Sequence, residues 1–156
     1  MLFQGNPGTT TLDALADLNG VGGELNIGET GAPTNVDGPA NITSVGDLLI
    51  GDNAALTNLD GLANITSVAR FLVINNNAAL TNLDGLANIT SVGEFLQIFS
   101  NAALTNCQGI ALLLGWPNGP PDDSVGGEIT IQSNSTGCNS VEQVLASADT
   151  DGDGVD

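Results

Sequence analysis

The sequence contains no histidine, no lysine and no tyrosine, and Arg70 is its only basic side chain. Eighteen acidic residues give the 156-residue chain a formal net charge of −17. A chain with one cation cannot neutralise phosphates, which argues against nucleic acid or an anionic membrane surface as a partner. The side chains that most often serve as catalytic bases or activate nucleophiles are also scarce. We therefore expect a non-catalytic protein.

Long apolar runs are missing as well. No stretch reaches the roughly 18 residues of a membrane span, so membrane insertion is not expected. The start, "MLFQGNPG", lacks the basic and apolar regions of a signal peptide. Because the chain begins partway through a repeat and ends on "DTDGDGVD", we expect it to belong to a longer protein.

What the sequence does contain is an internal repeat. The segment "LTNLDGLANITSV" occurs at 56–68 and again, unchanged, at 80–92. Diverged copies occupy 22–45 and 93–116, with Trp116 in the place of the closing valine, and an altered copy occupies 126–145. A period of about 24 residues predicts a solenoid in which each repeat forms one coil. Six coils, the first with Met1 and Phe3 in its core, would account for almost the whole chain.

Each repeat carries a strand pattern followed by an asparagine. Alternating leucine and isoleucine, as in Leu72 and Ile74, predict a strand with both side chains directed inward. Three residues later a buried asparagine would satisfy backbone groups of its own and the next coil. Leucines at intervals of three then predict a return arm rich in turns or 3₁₀ helix. The asparagine ladder comprises Asn6, Asn53, Asn77, Asn101 and Asn134, with Thr30 replacing one member.

The pattern L-x-x-L-x-I-x-x-N resembles the leucine-rich repeat. The short unit "LTNLDGL…NITSVGG" is similar to the receptor-L-domain-like repeats of bacterial secreted and surface proteins. The resemblance implies a mainly β, right-handed solenoid of about six 23–24-residue coils over 1–145, closed by a short helix at 139–145. An insertion at 117–125 and Pro39 depart from the pattern, and an acidic tail follows at 146–156.

The tail resembles the calcium loop of thrombospondin type 3 repeats. Carboxylates alternate before a glycine in "DTDGDG", an arrangement that supplies hard oxygen ligands on a tight turn. The resemblance implies calcium as the cofactor. Its ligands would be Asp149, Asp151, Asp153 and Asp156. A second column of aspartates, at Asp13, Asp37, Asp60 and Asp84, either binds cations or accepts turn N–H groups, and we favour the second interpretation.

Two exposed surfaces are candidates for binding. Apolar residues between the inward pairs predict a partner-binding face formed by Leu49, Phe71, Val73, Phe95 and Phe99. The phenylalanines could instead form a spine inside the solenoid. Acidic residues Glu24, Asp47, Glu94 and Glu128 would rim the strands, with Arg70 alone among them. A column of exposed threonines would suit ice binding or simply a turn, and it comprises Thr34, Thr57, Thr81 and Thr105.

The only two cysteines favour a disulfide. Cys107 takes a core leucine position and Cys138 falls in the following coil, whereas two thiols without histidine make a poor zinc site. A disulfide implies an oxidising, extracellular or cell-surface location. We therefore expect a recognition or adhesion module that binds a protein or cell-surface ligand. The alternative is a structural subunit that stacks on copies of itself through the uncapped Met1–Phe3 strand into filaments.

Overall fold

The computed structural model describes residues 2–4, 16–18, 20–30, 33–39, 41–117 and 124–149, with the backbone alone for 2–4. Several predictions concern residues outside these ranges. They are the core position of Met1, the ladder position of Asn6, the column position of Asp13 and the calcium ligands Asp151, Asp153 and Asp156. The core position of Phe3 concerns a side chain that is likewise not described.

The described chain forms a parallel sheet wound as a solenoid of about three turns, followed by one short helix. The strands are β1 Leu2–Gln4, β2 Val21–Gly28, β3 Ser44–Gly51, β4 Ser67–Val68, β5 Phe71–Asn75, β6 Ser91–Val92, β7 Phe95–Phe99 and β8 Ile129–Gln132. The helix α1 is Val141–Ala148, and 3₁₀ turns lie at Asp60–Leu62, Asp84–Leu86 and Gln108–Ile110. The mainly β solenoid with a C-terminal helix is confirmed, whereas six coils and right-handed winding stay predictions.

The main sheet runs β1-β2-β3-β5-β7-β8, and every neighbouring pair is parallel. Equivalent residues of successive repeats pair directly, as Ile50 does with Ile74 and Ile74 with Ile98. The short strands β4 and β6 extend the pairing beside β3. The 24-residue period therefore sets the register, because one repeat returns the chain to the same height on the next strand.

The core is a column of stacked leucine and isoleucine side chains. The inward residues of β5 and β7, Leu72, Ile74, Leu96 and Ile98, are fully buried. The return arm after β3 buries four more apolar side chains in and around its 3₁₀ turn, namely Leu56, Leu59, Leu62 and Ile65. The alternation of the strands and the three-residue spacing of the arms thus direct these leucine and isoleucine side chains to the same interior.

The arms stack so closely that one position requires glycine. A Cβ atom on Gly85 would lie 1.9 Å from the carbonyl oxygen of Leu59 in the preceding arm. Gly109 stands in the same relation to Leu83, at 2.0 Å. The glycine of each "DGL" or "QGI" segment therefore lets the backbones of successive arms touch.

The last arm differs from the prediction. Val125, rather than Trp116, continues the valine column by pairing with Val92, and the Val92 N–H donates to the Ser124 carbonyl oxygen at 2.7 Å. The physical reason is that Leu113 and Leu114 are both buried there, so the chain needs more residues to return to the sheet. Trp116 is only partly buried against the core.

Helix α1 packs against the last 3₁₀ turn. Ser140 caps the helix, because its hydroxyl oxygen accepts the Gln143 N–H at 3.2 Å. The Gln143 side chain accepts the Asn139 N–H in return, at 3.1 Å. Val144 is fully buried, and Gln108 donates to the Ser147 carbonyl oxygen. No helix among the described residues is long and apolar enough to cross a bilayer.

Candidate partner-binding face

The side of the sheet opposite the core is called the outer face here. Its residues alternate with the inward pairs, and the register aligns them in three rows across the strands. The first row contains Glu24, Asp47, Phe71, Phe95 and Glu128. The second contains Asn26, Leu49, Val73, Gln97 and Thr130. The third contains Gly28, Gly51, Asn75, Phe99 and Gln132.

All five residues predicted for the partner face lie on the outer face and are partly exposed. Phe71 and Phe95 stack with ring centroids 4.3 Å apart and an angle of 19° between the ring planes. These rings do not form a spine inside the solenoid, because the adjacent Leu72 and Leu96 fill the interior. The outer face therefore presents partly exposed apolar side chains on the three neighbouring strands β3, β5 and β7.

A groove runs beside this apolar area because two strands end in glycine. Gly28 and Gly51 leave the third row without side chains on β2 and β3, and the space there has a volume of about 290 Å³. Leu49 and Val73 contribute apolar lining, while the polar lining comes from Asn26, Asp52 and Asn75. The sequence pattern did not predict this groove, although glycine at the strand end is its signal.

Arg70 is bound on the outer face rather than standing alone. Its guanidinium forms an ion pair with the Asp47 carboxylate, and the guanidinium carbon lies 5.1 Å from the centroid of the Phe71 ring. Asp47 is buried, and its Oδ1 atom has no hydrogen-bond partner among the described residues. Asp47 was expected at the exposed rim, so the structure corrects its environment: the Arg70 side chain from the next coil covers it.

The described asparagines form a ladder along the edge of the sheet. The Asn77 amide donates to the carbonyl oxygens of Ile50 and Asn75, each at 3.0 Å, and to Asn101 Oδ1 at 3.2 Å. Asn77 Oδ1 accepts the Asn53 N–H at 3.2 Å. The amides of Asn53, Asn101 and Asn134 likewise donate to an isoleucine carbonyl oxygen of the preceding coil, and the Thr30 hydroxyl donates to Asn53 at the first described step. Each side chain thus satisfies groups of two coils.

The residue before each described ladder position has a left-handed backbone. These residues have φ between 52° and 60°, and none is glycine. They are Glu29, Asp52, Asn76, Ser100 and Ser133. The first four reversals are supported by a backbone bond to the next coil, such as the Asp52 N–H to the Asn75 carbonyl oxygen at 3.1 Å. The sequence did not predict this feature. The only signal was weak: two of the five residues, Asp52 and Asn76, are of types that adopt positive φ more often than others.

The threonine column lies on the arms, away from the outer face. Thr34, Thr57, Thr81 and Thr105 are exposed. The Thr57 and Thr81 hydroxyls donate to the carbonyl oxygen of the threonine in the preceding coil, at 2.8 and 3.2 Å. The described column therefore supports the stacking of the arms.

The aspartate column lies at the start of the 3₁₀ turns. Asp37, Asp60 and Asp84 are exposed. The backbone N–H of Asp60 donates to Asn58 Oδ1 at 3.2 Å, and Asp84 and Asn82 repeat this bond at 3.1 Å. The asparagine of "TNxD" is thus the turn acceptor, a role that sequence reasoning gave to the aspartate. No group of three acidic or other ligating side chains that could hold a metal occurs among the described residues.

Two predicted features lie at the C-terminal end. Cys107 and Cys138 form a disulfide with their Cα atoms 5.8 Å apart, joining the last arm to the segment before α1. Asp149 directly follows α1, and its N–H donates to the Leu145 carbonyl oxygen at 3.3 Å. The other three predicted calcium ligands lie beyond the described part of the chain, so that site stays a prediction.

Comparison with protein-family models, with curated proteins and with solved structures finds no match for this chain.

Proposed function

We propose that this chain is a non-catalytic recognition or adhesion module of a larger secreted or surface protein, which binds its partner on the outer face. One observation carries the proposal. The outer face combines partly exposed Leu49, Val73 and two stacked phenylalanine rings with an adjoining groove. Contiguous exposed apolar area of this kind is typical of partner surfaces.

The negative charge of the chain indicates which side chains the partner should carry. The chain carries seventeen more acidic than basic side chains, and Glu94, Glu128 and Asp52 lie at the margins of the outer face. A partner segment that carries both basic and apolar side chains would meet complementary charge and bury the rings. The protein or cell-surface ligand is therefore proposed to present a basic, apolar segment.

The location and the finer architecture belong to the same proposal. The disulfide is compatible with an extracellular or cell-surface location, because such bonds persist in oxidising compartments. Calcium binding by Asp149 and the acidic residues after it is proposed from their spacing. The six strands of the main sheet support a leucine-rich-repeat-type solenoid of six coils. The usual hand of parallel crossovers favours a right-handed winding.

A binding experiment with defined peptides tests the function. The purified chain is exposed to an array of ten-residue synthetic peptides that combine arginine or lysine with leucine or phenylalanine. Matched copies carry glutamate in place of the basic residues. We expect measurable binding only for the basic, apolar peptides. Higher salt should weaken this binding, because the attraction is partly electrostatic.

Substitutions in the second row of the outer face distinguish binding at this face from nonspecific electrostatic attraction to the acidic chain. Val73→Gln and Leu49→Asn should together weaken binding by at least about fivefold, the value typical of removing an interface anchor. Both should fold, because this row already contains Asn26 and Gln97. Ala87→Gln, an exposed residue of a return arm, is the matched control. Binding that survives the face variants, or an array with no binding peptide, would refute the proposed function.

A further inference from the structure

The chain already holds one arginine on its outer face, and this arrangement shows what the face can bind. The Arg70 guanidinium lies against the Phe71 ring, with 5.1 Å between the guanidinium carbon and the ring centroid, and forms an ion pair with Asp47. A planar guanidinium suits both contacts, because it stacks on aromatic rings while donating hydrogen bonds to a carboxylate. One cation, one ring and one carboxylate make the unit.

A second ring and a second carboxylate stand on the other side of the ring pair, without a cation: Phe95 lies beside Glu128 in the first row, in mirror order to Asp47 and Phe71. Phe71 contacts Arg70, which is bound to the preceding strand β3, and Phe95, which belongs to the following strand β7. One side of the Phe95 ring therefore stacks on Phe71, and its other side is directed toward β8. The first-row residue there is Glu128, which directly precedes β8, and its Oε1 accepts only the Thr130 hydroxyl, at 3.2 Å, among the contacts described.

The neighbouring positions add charge and space. Glu94 precedes Phe95 as Arg70 precedes Phe71, and it is exposed. The corresponding residue of the next coil is Gly127, which places no side chain over the ring. Phe95 thus has one exposed carboxylate residue before it in the chain, Glu94, and another beside it in the first row, Glu128.

This chain cannot supply the missing cation. Its only basic side chain is Arg70, which is bound to Asp47. We propose that Phe95, Glu94 and Glu128 form a subsite for an arginine side chain of the partner, held as Arg70 is held on Phe71. Arginine is preferred to lysine because the ammonium is compact and strongly hydrated and does not match the plane of the ring.

The subsite deepens the proposed function and rests on it for its biological partner. Phe95 and Leu49 lie two strands and one row apart, or about 12 Å, given spacings of roughly 4.8 Å between strands and 6.6 Å between alternate residues. An extended peptide covers that distance in three or four residues. The preferred segment should therefore carry an arginine three or four positions from an apolar residue.

The experiment is a titration of the full chain followed by aromatic ¹³C–¹H NMR. The protein has only four phenylalanines, so each ring can be assigned by substitution. The probes are N-acetyl-arginine amide, N-acetyl-lysine amide and N-acetyl-citrulline amide, the last a neutral analogue of arginine. We expect arginine to shift the Phe95 signals with a dissociation constant in the millimolar range, lysine to bind at least about twofold more weakly, and citrulline to have no effect.

Charge-removing variants test the two carboxylates. Glu94→Gln and Glu128→Gln should each weaken arginine binding about two- to fivefold, as expected for exposed ion pairs. Asp37→Asn removes one exposed carboxylate from a return arm and should leave the titration unchanged. All three residues are exposed, so folding is not at risk.

Three outcomes would overturn the subsite: equal shifts with citrulline, equal weakening by Asp37→Asn, or shifts of Phe95 with calcium chloride but not with arginine. The single-residue probes, which are blocked at both ends, also keep this test separate from the peptide array. Arginine binding at Phe95 without any peptide binding would retain the subsite and refute the proposed function. Peptide binding that is unchanged in Glu94→Gln and Glu128→Gln would retain the proposed function and refute the subsite.

Discussion

The return arms and the strands of this solenoid follow different rules. The arms at 56–68 and 80–92 are identical, whereas the strands that lie between and after them, β5 and β7, read "FLVIN" and "FLQIF". Both strands keep the inward Leu72 and Leu96 and the inward isoleucines, and they differ only at outer-face positions. Residues that hold the column together repeat, and the outer face is where one coil can differ from the next.

The comparison predicts that substitutions in the column reduce stability and that substitutions on the outer face alter binding. The largest effect on stability is expected where the regular repeat ends. Replacing Cys107 and Cys138 with alanine should lower the free energy of unfolding by about 3–4 kcal/mol, because the bond closes a loop with a sequence separation of 31. Urea unfolding followed by circular dichroism measures this value.

Hydrogen exchange shows where that loss falls. Helix α1 and β8 should lose protection in the double alanine variant, while β5 should keep it, because the disulfide joins only the last arm to the segment before α1. Equal loss of protection in β5 would contradict a local role for the bond.

The next effect is expected in the identical arms. Gly85→Ala should cost about 3 kcal/mol, because the new Cβ would lie 1.9 Å from the Leu59 carbonyl oxygen and push two coils apart. Gly22→Ala is the control, since nothing lies within 4 Å of its Cβ position. Urea unfolding of both variants checks the prediction. A similar change in both would mean that the close stacking of the arms does not set the glycine position.

A smaller loss is expected along the asparagine ladder. Asn77→Ala should cost about 2–3 kcal/mol, because it leaves buried groups such as the Ile50 carbonyl oxygen without a partner. Asn134→Ala should cost about 1 kcal/mol, since water can reach its partly exposed position. Thermal and urea unfolding would contradict this ranking if the two variants lost equal stability.

The repeat period predicted much of the fold because burial in a solenoid is periodic. Leu72, Ile74 and the arm leucines could be placed inside from their spacing alone, and Cys107 could be placed inside from its alignment with Leu83. Val125 could not be aligned, because the last arm has a different length and its additional residues interrupt the period.

The candidate site was predicted less completely than the core. The outer-face positions followed from strand alternation, but contacts between coils depend on side-chain directions that a period does not specify. The pairing of Arg70 with Asp47 and the left-handed backbone of Glu29 are two such cases. The groove likewise required knowing that Gly28 and Gly51 lie side by side.

The most direct test of the division between column and outer face is a map of backbone amide shifts. The ¹⁵N-labelled chain would be titrated with the tightest basic, apolar peptide from the array. We predict that the largest shift changes lie on β3, β5 and β7 and that they decrease in Val73→Gln. Shift changes centred on the threonine column at Thr57 and Thr81, or at the ends of the sheet, would contradict the assignment of binding to the outer face.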